Sequence, residues 1–460
     1  MQTFSIRLCK NSHTFNIQIS TSTNHTHRYF CTICNENFSY FNHQNPSNKF
    51  TNSSKISLKI RVIMELCYFI REVMVADKKL FYLSCVLITI GIIFSYSLTT
   101  FTILYFDYNE FHFFIRQLFF GVSGILMMFF LSKLNPDNPN SYKTILVILI
   151  FSFFAIIILP FLPTNLATES GGAKRWIRLG PVSISPVEFF KIGLIYFLAW
   201  SYTRRINDEK KAIKHEILIL LPYCIVATLV IGYIYITQND LGQSVISFFL
   251  ILALAFFAGA SKRLFAFGIL IVMMIGIAVI FSNQRRIQRI ANWWGNIQDA
   301  FLPLLPEWIA SAIRVSENSE PYQISHSLNA IAHGGFFGEG LGLGIFKLGF
   351  LSEVHTDFVL SGITEEIGLL GLAFICFFYL WMILRIFRIA GRCDKKEHFI
   401  FCSGIALLLL FSFFMNAFGI ISLTPLKGVA VPLLSYGGSS MWAICVGLGY
   451  VLMISKKVKL

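Results

Sequence analysis

Apolar residues run along this chain in long blocks rather than in the alternation of a half-buried strand. Blocks of about 17 to 25 residues, the length that carries a helix across a bilayer, fall near 80–100, 113–132, 143–163, 184–202 and 216–237. Five more fall near 243–260, 263–282, 357–384, 399–422 and 432–454. They predict an all-α integral membrane protein of about ten transmembrane helices in a core over 80–455, with a large loop over 283–356 between the seventh and eighth. Residues 1–79 precede the first block; their Ser, Thr, Asn and His content and lack of a signal-peptide pattern predict a disordered cytoplasmic extension. Met64 and Met74 lie just before the first block and are further candidate starts. A short basic tail, 456–460, ends the chain.

Composition agrees with the pattern: 55% of residues are hydrophobic and only 13% are charged, which excludes an ordinary soluble domain. The net charge of +14 would suit nucleic acid, but its distribution is that of a topology signal. Arg204, Arg205, Lys210, Lys211 and Lys214 follow the fourth block, and Lys262 and Arg263 the sixth. Arg385, Arg388, Arg392, Lys395 and Lys396 follow the eighth, and Lys456, Lys457 and Lys459 the tenth. All share one side if the amino terminus is cytoplasmic, which leaves 322–357 outside. Ten cysteines suggest no disulfide framework, because several lie inside apolar blocks. Cys31 and Cys34, with His25, His27 and His43 nearby, lack a regularly spaced second half of a metal site.

Polar and glycine residues concentrate between Tyr322 and Gly368. Gly334, Gly335, Gly338, Gly340, Gly342 and Gly344 predict a turn-rich reentrant loop; no Gly-Lys-Ser/Thr ending marks a nucleotide site. Asp357 falls where the next block begins, at the lip of the bilayer. On a helix, Asp357, Ser361, Thr364 and Gly368 would share a face, with Glu365 at its edge and about 12 Å deeper. Physical chemistry alone leaves two readings open: a functional site, or a buried polar cluster that tightens helix packing.

Other polar positions stand out against the apolar blocks. Lys174, Arg175 and Arg178, with Trp176, put cations on the outer side, as an anionic ligand or an interfacial anchor would require. Ser185, Pro186 and Glu188 form a helix-start signal, and Glu188 lies one turn before Lys191, the spacing of an ion pair inside the bundle. Asp240 predicts a helix cap. Arg285, Arg286 and Arg289 open the large loop, whose stretch 300–315 has an apolar face suited to a membrane surface or a partner.

Taken in order, GAKRWI at 172–177, SPVEFFK at 185–191, Asp-Leu-Gly at 240–242, Arg286 with Arg289, YQI, AIAHGGFFGEGLG, HTDF, TEEIG and PLKGVAVPLLSYGGSS resemble the SEDS family. These are the proteins of shape, elongation, division and sporulation, and the resemblance covers about residues 80–455. Lys427 in PLKG is closer to the division branch than to the elongation branch. Ser352 and Asn239 depart from prolines usual in the family.

The resemblance implies a peptidoglycan glycosyltransferase that polymerises lipid II on the periplasmic face during septal wall synthesis. It implies that Asp357 is the catalytic base, and that Lys174, Arg175, Arg286, Arg289, Lys347, Lys427 and Glu365 bind substrate. Glu188, Lys191 and Asp240 are then structural. A class B penicillin-binding transpeptidase and other division proteins are the implied partners, with membrane lipid and no nucleic acid. No metal ligand set is assigned, and a divalent cation such as Mg or Mn is the one cofactor compatible with the reading. A lipid II flippase and a non-catalytic scaffold that recruits a transpeptidase are the alternatives.

Overall fold

The computed structural model describes residues 5–11, 14–20, 27–29 and 77–458, except 168, 171–172, 181, 206–212, 282–283, 316–321, 352 and 426–427. The chain divides into two compact units, Met1–Arg71 and Glu72–Leu460.

In the first unit, β1 (Ser5–Asn11), β2 (Thr14–Ser20) and β3 (His27–Tyr29) form an antiparallel sheet in chain order. In their register Ile6 pairs with Ile19 and Leu8 with Ile17.

In the second unit each of the ten apolar blocks contains a helix. These are α1 (Lys78–Ser97), α3 (His112–Ser132), α4 (Lys143–Ile158), α5 (Pro186–Arg205) and α6 (Ile213–Gln238), then α7 (Leu241–Phe257), α8 (Lys262–Phe281), α12 (Val359–Ala390), α13 (Lys396–Ile420) and α14 (Gly438–Ser455). Between them lie the short α2 (Thr100–Tyr105), the small hairpin strands β4 to β7 over 169–184, and α9 (Gln284–Phe301), α10 (Glu307–Ile313) and α11 (Tyr322–Gly334). Six helical segments among the described residues are long and apolar enough to span a bilayer: Lys78–Ser97, His112–Ser132, Pro139–Phe161, Val359–Ala390, Lys396–Ile420 and Gly438–Ser455.

The large loop is more regular than its sequence suggests. Arg286 and Arg289 lie on helix α9, and the reentrant stretch begins as helix α11, packed on α12. Leu304 and Trp308 stay exposed in the apolar stretch between α9 and α11.

The bundle is built around α14, which is buried on nearly all sides and packs along α3, α5 and α13. Small residues permit that closeness: a Cβ added at Gly449 would lie 2.8 Å from the Leu131 side chain. Helices α1 and α12 pack antiparallel, which fixes the two ends of the unit. At one end Asp77 caps α1 through Leu80 N–H (3.1 Å) and pairs with Arg385 at the far end of α12 (2.8 Å). At the other end Ser97 meets Glu366, and Asp357 lies just before α12 begins. The basic cluster after α12 and Asp357 therefore sit at opposite ends of one helix.

Candidate active site

The loop that follows α11 folds back against a break in α12. Gly368 adopts φ 71° and ψ 178°, a conformation available essentially to glycine alone, and interrupts the helix. Inside a span, such a break exposes backbone groups that lipid cannot satisfy. The glycine loop satisfies them. Glu339 and Gly340 N–H donate to the Glu365 and Glu366 carbonyls (3.0 and 2.9 Å), while Leu369 and Leu370 N–H donate to the Gly335 and Phe336 carbonyls (2.9 and 3.2 Å). Approach this close requires glycine in the loop: a Cβ on Gly338 would lie 2.4 Å from the Glu366 carbonyl oxygen.

Two buried side chains complete the clamp. Glu365 Oε1 accepts from Ile345 N–H (2.6 Å) and Phe346 N–H (3.0 Å), with His333 Nδ1 at 3.3 Å. Glu366 Oε1 accepts from Lys347 Nζ (2.7 Å) and from Ser97 Oγ (2.5 Å) on α1. Two of the seven residues that the resemblance implies as substrate ligands, Glu365 and Lys347, thus have partners within the fold. Lys347 is 2% exposed, so its ammonium does not face a binding surface.

Asp357 occupies a separate cradle. It lies in a turn after Glu353, whose carbonyl accepts its N–H at 3.1 Å. Helix α12 starts at Val359 with Phe358 as its cap residue, so the Asp357 carboxylate is not a helix cap. Around the turn, Ser435 Oγ donates to the Thr356 carbonyl (2.7 Å) and Tyr436 N–H to the His355 carbonyl (2.9 Å). Gln117 on α3 reaches the same strap through the Ser435 carbonyl (3.3 Å) and Gly437 N–H (3.3 Å). Asn416 Nδ2 on α13 donates both to the Asp357 carbonyl (2.6 Å) and to the Val429 carbonyl (2.8 Å). Gly428 abuts the carboxylate itself: a Cβ there would lie 2.4 Å from Asp357 Oδ2.

This setting changes the acid strength of Asp357. Burial, with Glu353 and Asp240 adding negative charge and Arg175 opposing them, raises its carboxyl to about 7. A carboxyl so placed exchanges a proton at neutral pH, the property a general base needs.

The remaining polar residues fall into two groups. Arg175 donates to the Gln238 carbonyl (2.9 Å) and the Asn239 carbonyl (3.2 Å) and lies within electrostatic reach of Asp240 and Asp357. Asp240 caps α7 through Gln243 N–H (3.1 Å), and burial raises its carboxyl. Deeper in the bundle, Glu188 and Lys191 pair at 2.9 Å, and Gln243 bonds both, at 2.8 and 2.6 Å. Lys174 donates to the Pro160 and Leu162 carbonyls, which turns its ammonium toward its own loop. Lys427 and the side chains of Arg286 and Arg289 lie outside the described residues. Among the described residues no group of three His, Cys, Asp or Glu side chains is placed to hold a metal ion.

Asn416 and Gln117 were not singled out from sequence, and Ser435 and Gly428 stood there only as members of the PLKGVAVPLLSYGGSS stretch. The available signal for the first two was an amide inside an apolar block, which in a membrane helix marks a partner.

A helical multi-pass membrane protein with a polar cradle at one end of its bundle is thus defined. The chain belongs to the FtsW/RodA/SpoVE family of cell cycle proteins, whose model matches residues 77–460. It is 44% identical over 396 residues to the probable peptidoglycan glycosyltransferase FtsW of Helicobacter pylori (strain ATCC 700392 / 26695), covering 84% of this chain and all of that one. The FtsW of Geobacter sp. (strain M18), of the same description, is 28% identical over 387 residues, with 83% and 97% covered. Among solved structures, the fold matches a chain described under structural coordination of polymerization and crosslinking by a peptidoglycan synthase complex, with TM-score 0.60 and 21% identity over 82% of this chain and 97% of that one. It also matches the rod shape determining protein RodA of Thermus thermophilus, with TM-score 0.56 and 22% identity over 84% and 98%.

Proposed function

We infer that this chain is a peptidoglycan glycosyltransferase of cell division that polymerises lipid II, with Asp357 as general base. The observation that carries the base assignment is the carboxylate itself: partly buried, outside the helix-capping role, and raised to about 7. In the reaction, the 4-hydroxyl oxygen of one lipid II's GlcNAc forms a bond to the anomeric carbon of the other's MurNAc. The bond from that carbon to phosphate breaks, its electron pair leaves with undecaprenyl pyrophosphate, and the hydroxyl proton passes to the Asp357 carboxylate. The leaving group is already activated, so positioning and positive charge are what the protein must add. Arg175 is the described cation nearest in role, and Lys427, one residue before Gly428, is the second by sequence.

The reading extends to where and with what the chain works. The basic cluster at the opposite end of α12 supports the reading that Asp357 faces the extracytoplasmic side of the inner membrane, under the positive-inside rule. A single-span class B penicillin-binding transpeptidase is the partner that suits a polymerase, because uncrosslinked strands do not build a wall. The matched fold's description in a complex that joins polymerization and crosslinking supports this.

The test is reconstitution of the full chain, alone and with its transpeptidase, with labelled lipid II and with Mg, Mn or chelator. Gel-resolved glycan strands are the expected product. Translocation of lipid II with no strands formed under any condition would replace the polymerase by the flippase.

A further inference from the structure

We propose that Asn416 is a positioning residue that holds Asp357 in register against the Gly428 backbone. This rests on the reading of Asp357 as the base and goes beyond it, because Asn416 touches neither the substrate nor the transferred proton.

Helix α12 leaves the Asp357 carbonyl unserved. Ser361 and Gly362 N–H both turn to the Phe358 carbonyl, at 3.0 and 3.1 Å, so Asp357 stands one residue outside the hydrogen-bonded spiral. The donor that reaches its carbonyl is Asn416, 1% exposed and one turn before the end of α13. The second proton of the same amide goes to the Val429 carbonyl, one residue past Gly428. One NH2 group thus ties the residue that bears the carboxylate to the segment that covers it. Both partners are carbonyl oxygens, which fixes the amide with its nitrogen toward them.

Chemistry restricts what can replace it. Two carbonyls converging on one buried side chain need two donors on one atom; serine supplies one, and an ionised aspartate supplies none. Loss of a bond leaves a buried carbonyl unpaired and lets the two segments part. Parting matters because Gly428 lies against the carboxylate, where an added Cβ would meet Oδ2 at 2.4 Å, so its withdrawal would open that side of the carboxylate to water. Among the described residues, the charged groups that act on Asp357 are Glu353 from its own turn, Asp240 at the start of α7 and Arg175 from the hairpins before α5. None belongs to the clamp, so loosening it changes hydration of the carboxylate and leaves these charges in place. The consequence is a lowered pKa and a misplaced base together.

The test uses the full chain in proteoliposomes with its transpeptidase, labelled lipid II, and kcat/KM measured across pH. Asn416→Ser should lower kcat about ten- to hundredfold with little change in KM. It should also move the acid limb to lower pH by about one unit or more. Asn416→Gln, which keeps two donors on one nitrogen, should return the limb toward the wild-type position and recover part of the rate. A merely structural residue would reduce the amount of folded protein and leave the limb where it was. If Asn416→Ser does not accumulate, Gly428→Ala probes the same contact from the other side. Its Cβ forces the segment off the carboxylate with Asn416 intact, and the limb should again move down. An unmoved limb in a folded variant of either kind overturns the proposal. Asp357→Asn separates the two layers: an active variant overturns the base itself, whereas an inactive one with an unmoved Asn416→Ser limb overturns only the role of Asn416.

Discussion

Lys347 Nζ lies 2.7 Å from Glu366 Oε1 in a pair whose side chains are 2% and 0% exposed, with Ser97 Oγ within 3.2 Å of the same ammonium. A buried pair of this kind is costly to break from one side, because the remaining charge has no solvent and no partner. Lys347→Met or Glu366→Gln alone should therefore destabilise the chain by about 3–5 kcal/mol. The two together should cost less than either alone, because no unpaired charge remains. Thermal unfolding of detergent-purified variants measures this. If Lys347 instead gripped pyrophosphate, Lys347→Met would leave stability unchanged and raise KM.

That pair also shows where reading the sequence stops. Asp357 stood out because a carboxylate falls where an apolar block begins, although residues alone left a buried polar cluster equally open there, and Asp240 because a helix start wants a cap. The ion pair of Glu188 and Lys191 followed from their spacing on one helix. The partners of Lys347 and Glu365 were not legible, because they depend on how a glycine loop returns to a broken helix, and no spacing rule encodes that. Asn416 was passed over for a related reason: one amide in a span marks a hydrogen bond without saying to what.

The break at Gly368 should tolerate no side chain. At φ 71° and ψ 178°, a Cβ is strained by its own backbone, and it would lie 2.3 Å from the Phe336 carbonyl. Gly368→Ala should reduce the folded fraction sharply, as read by size-exclusion of a fluorescent fusion. Gly232, where an added Cβ meets nothing within 4 Å, is the control, and alanine there should be silent.

Arg175 and Lys174 are neighbours with different expected phenotypes. Arg175 lowers the Asp357 pKa, so its removal raises it further, and the acid limb of kcat/KM in Arg175→Gln should move above about 7. Substrate binding should weaken as well, since a pyrophosphate cation acts in the ground state too. Lys174 faces the Pro160 and Leu162 carbonyls, and Lys174→Gln should leave both the limb and KM near wild type. An equal loss of binding in the two variants would return Lys174 to the substrate site.

Sidedness is open to direct measurement. Glu339 on the glycine loop has a side chain 44% exposed, and Lys457 near the carboxyl terminus has one 54% exposed. In a background with the native cysteines replaced, Glu339→Cys should react with an impermeant maleimide in intact spheroplasts, whereas Lys457→Cys should react only after lysis. The reverse pattern would put Asp357 on the cytoplasmic side and end the polymerase mechanism.

Asp357→Asn gives the sharpest contrast between activity and stability. The amide is nearly isosteric but accepts no proton at neutral pH, so polymerisation should fall by about 10² to 10⁴. Stability should move the other way, with a sign that follows from the raised pKa. The folded chain holds its proton up to about 7, whereas an ordinary Asp loses it near 3.8. Between those values the folded state binds more protons than the unfolded one, so the wild type loses stability as pH rises through that window. Asn has no such charge to bury. The variant should match the wild type in melting temperature below pH 4 and exceed it above pH 7. A carboxylate that merely served as a structural acceptor would give the opposite result, a variant that is less stable at neutral pH and still makes strands.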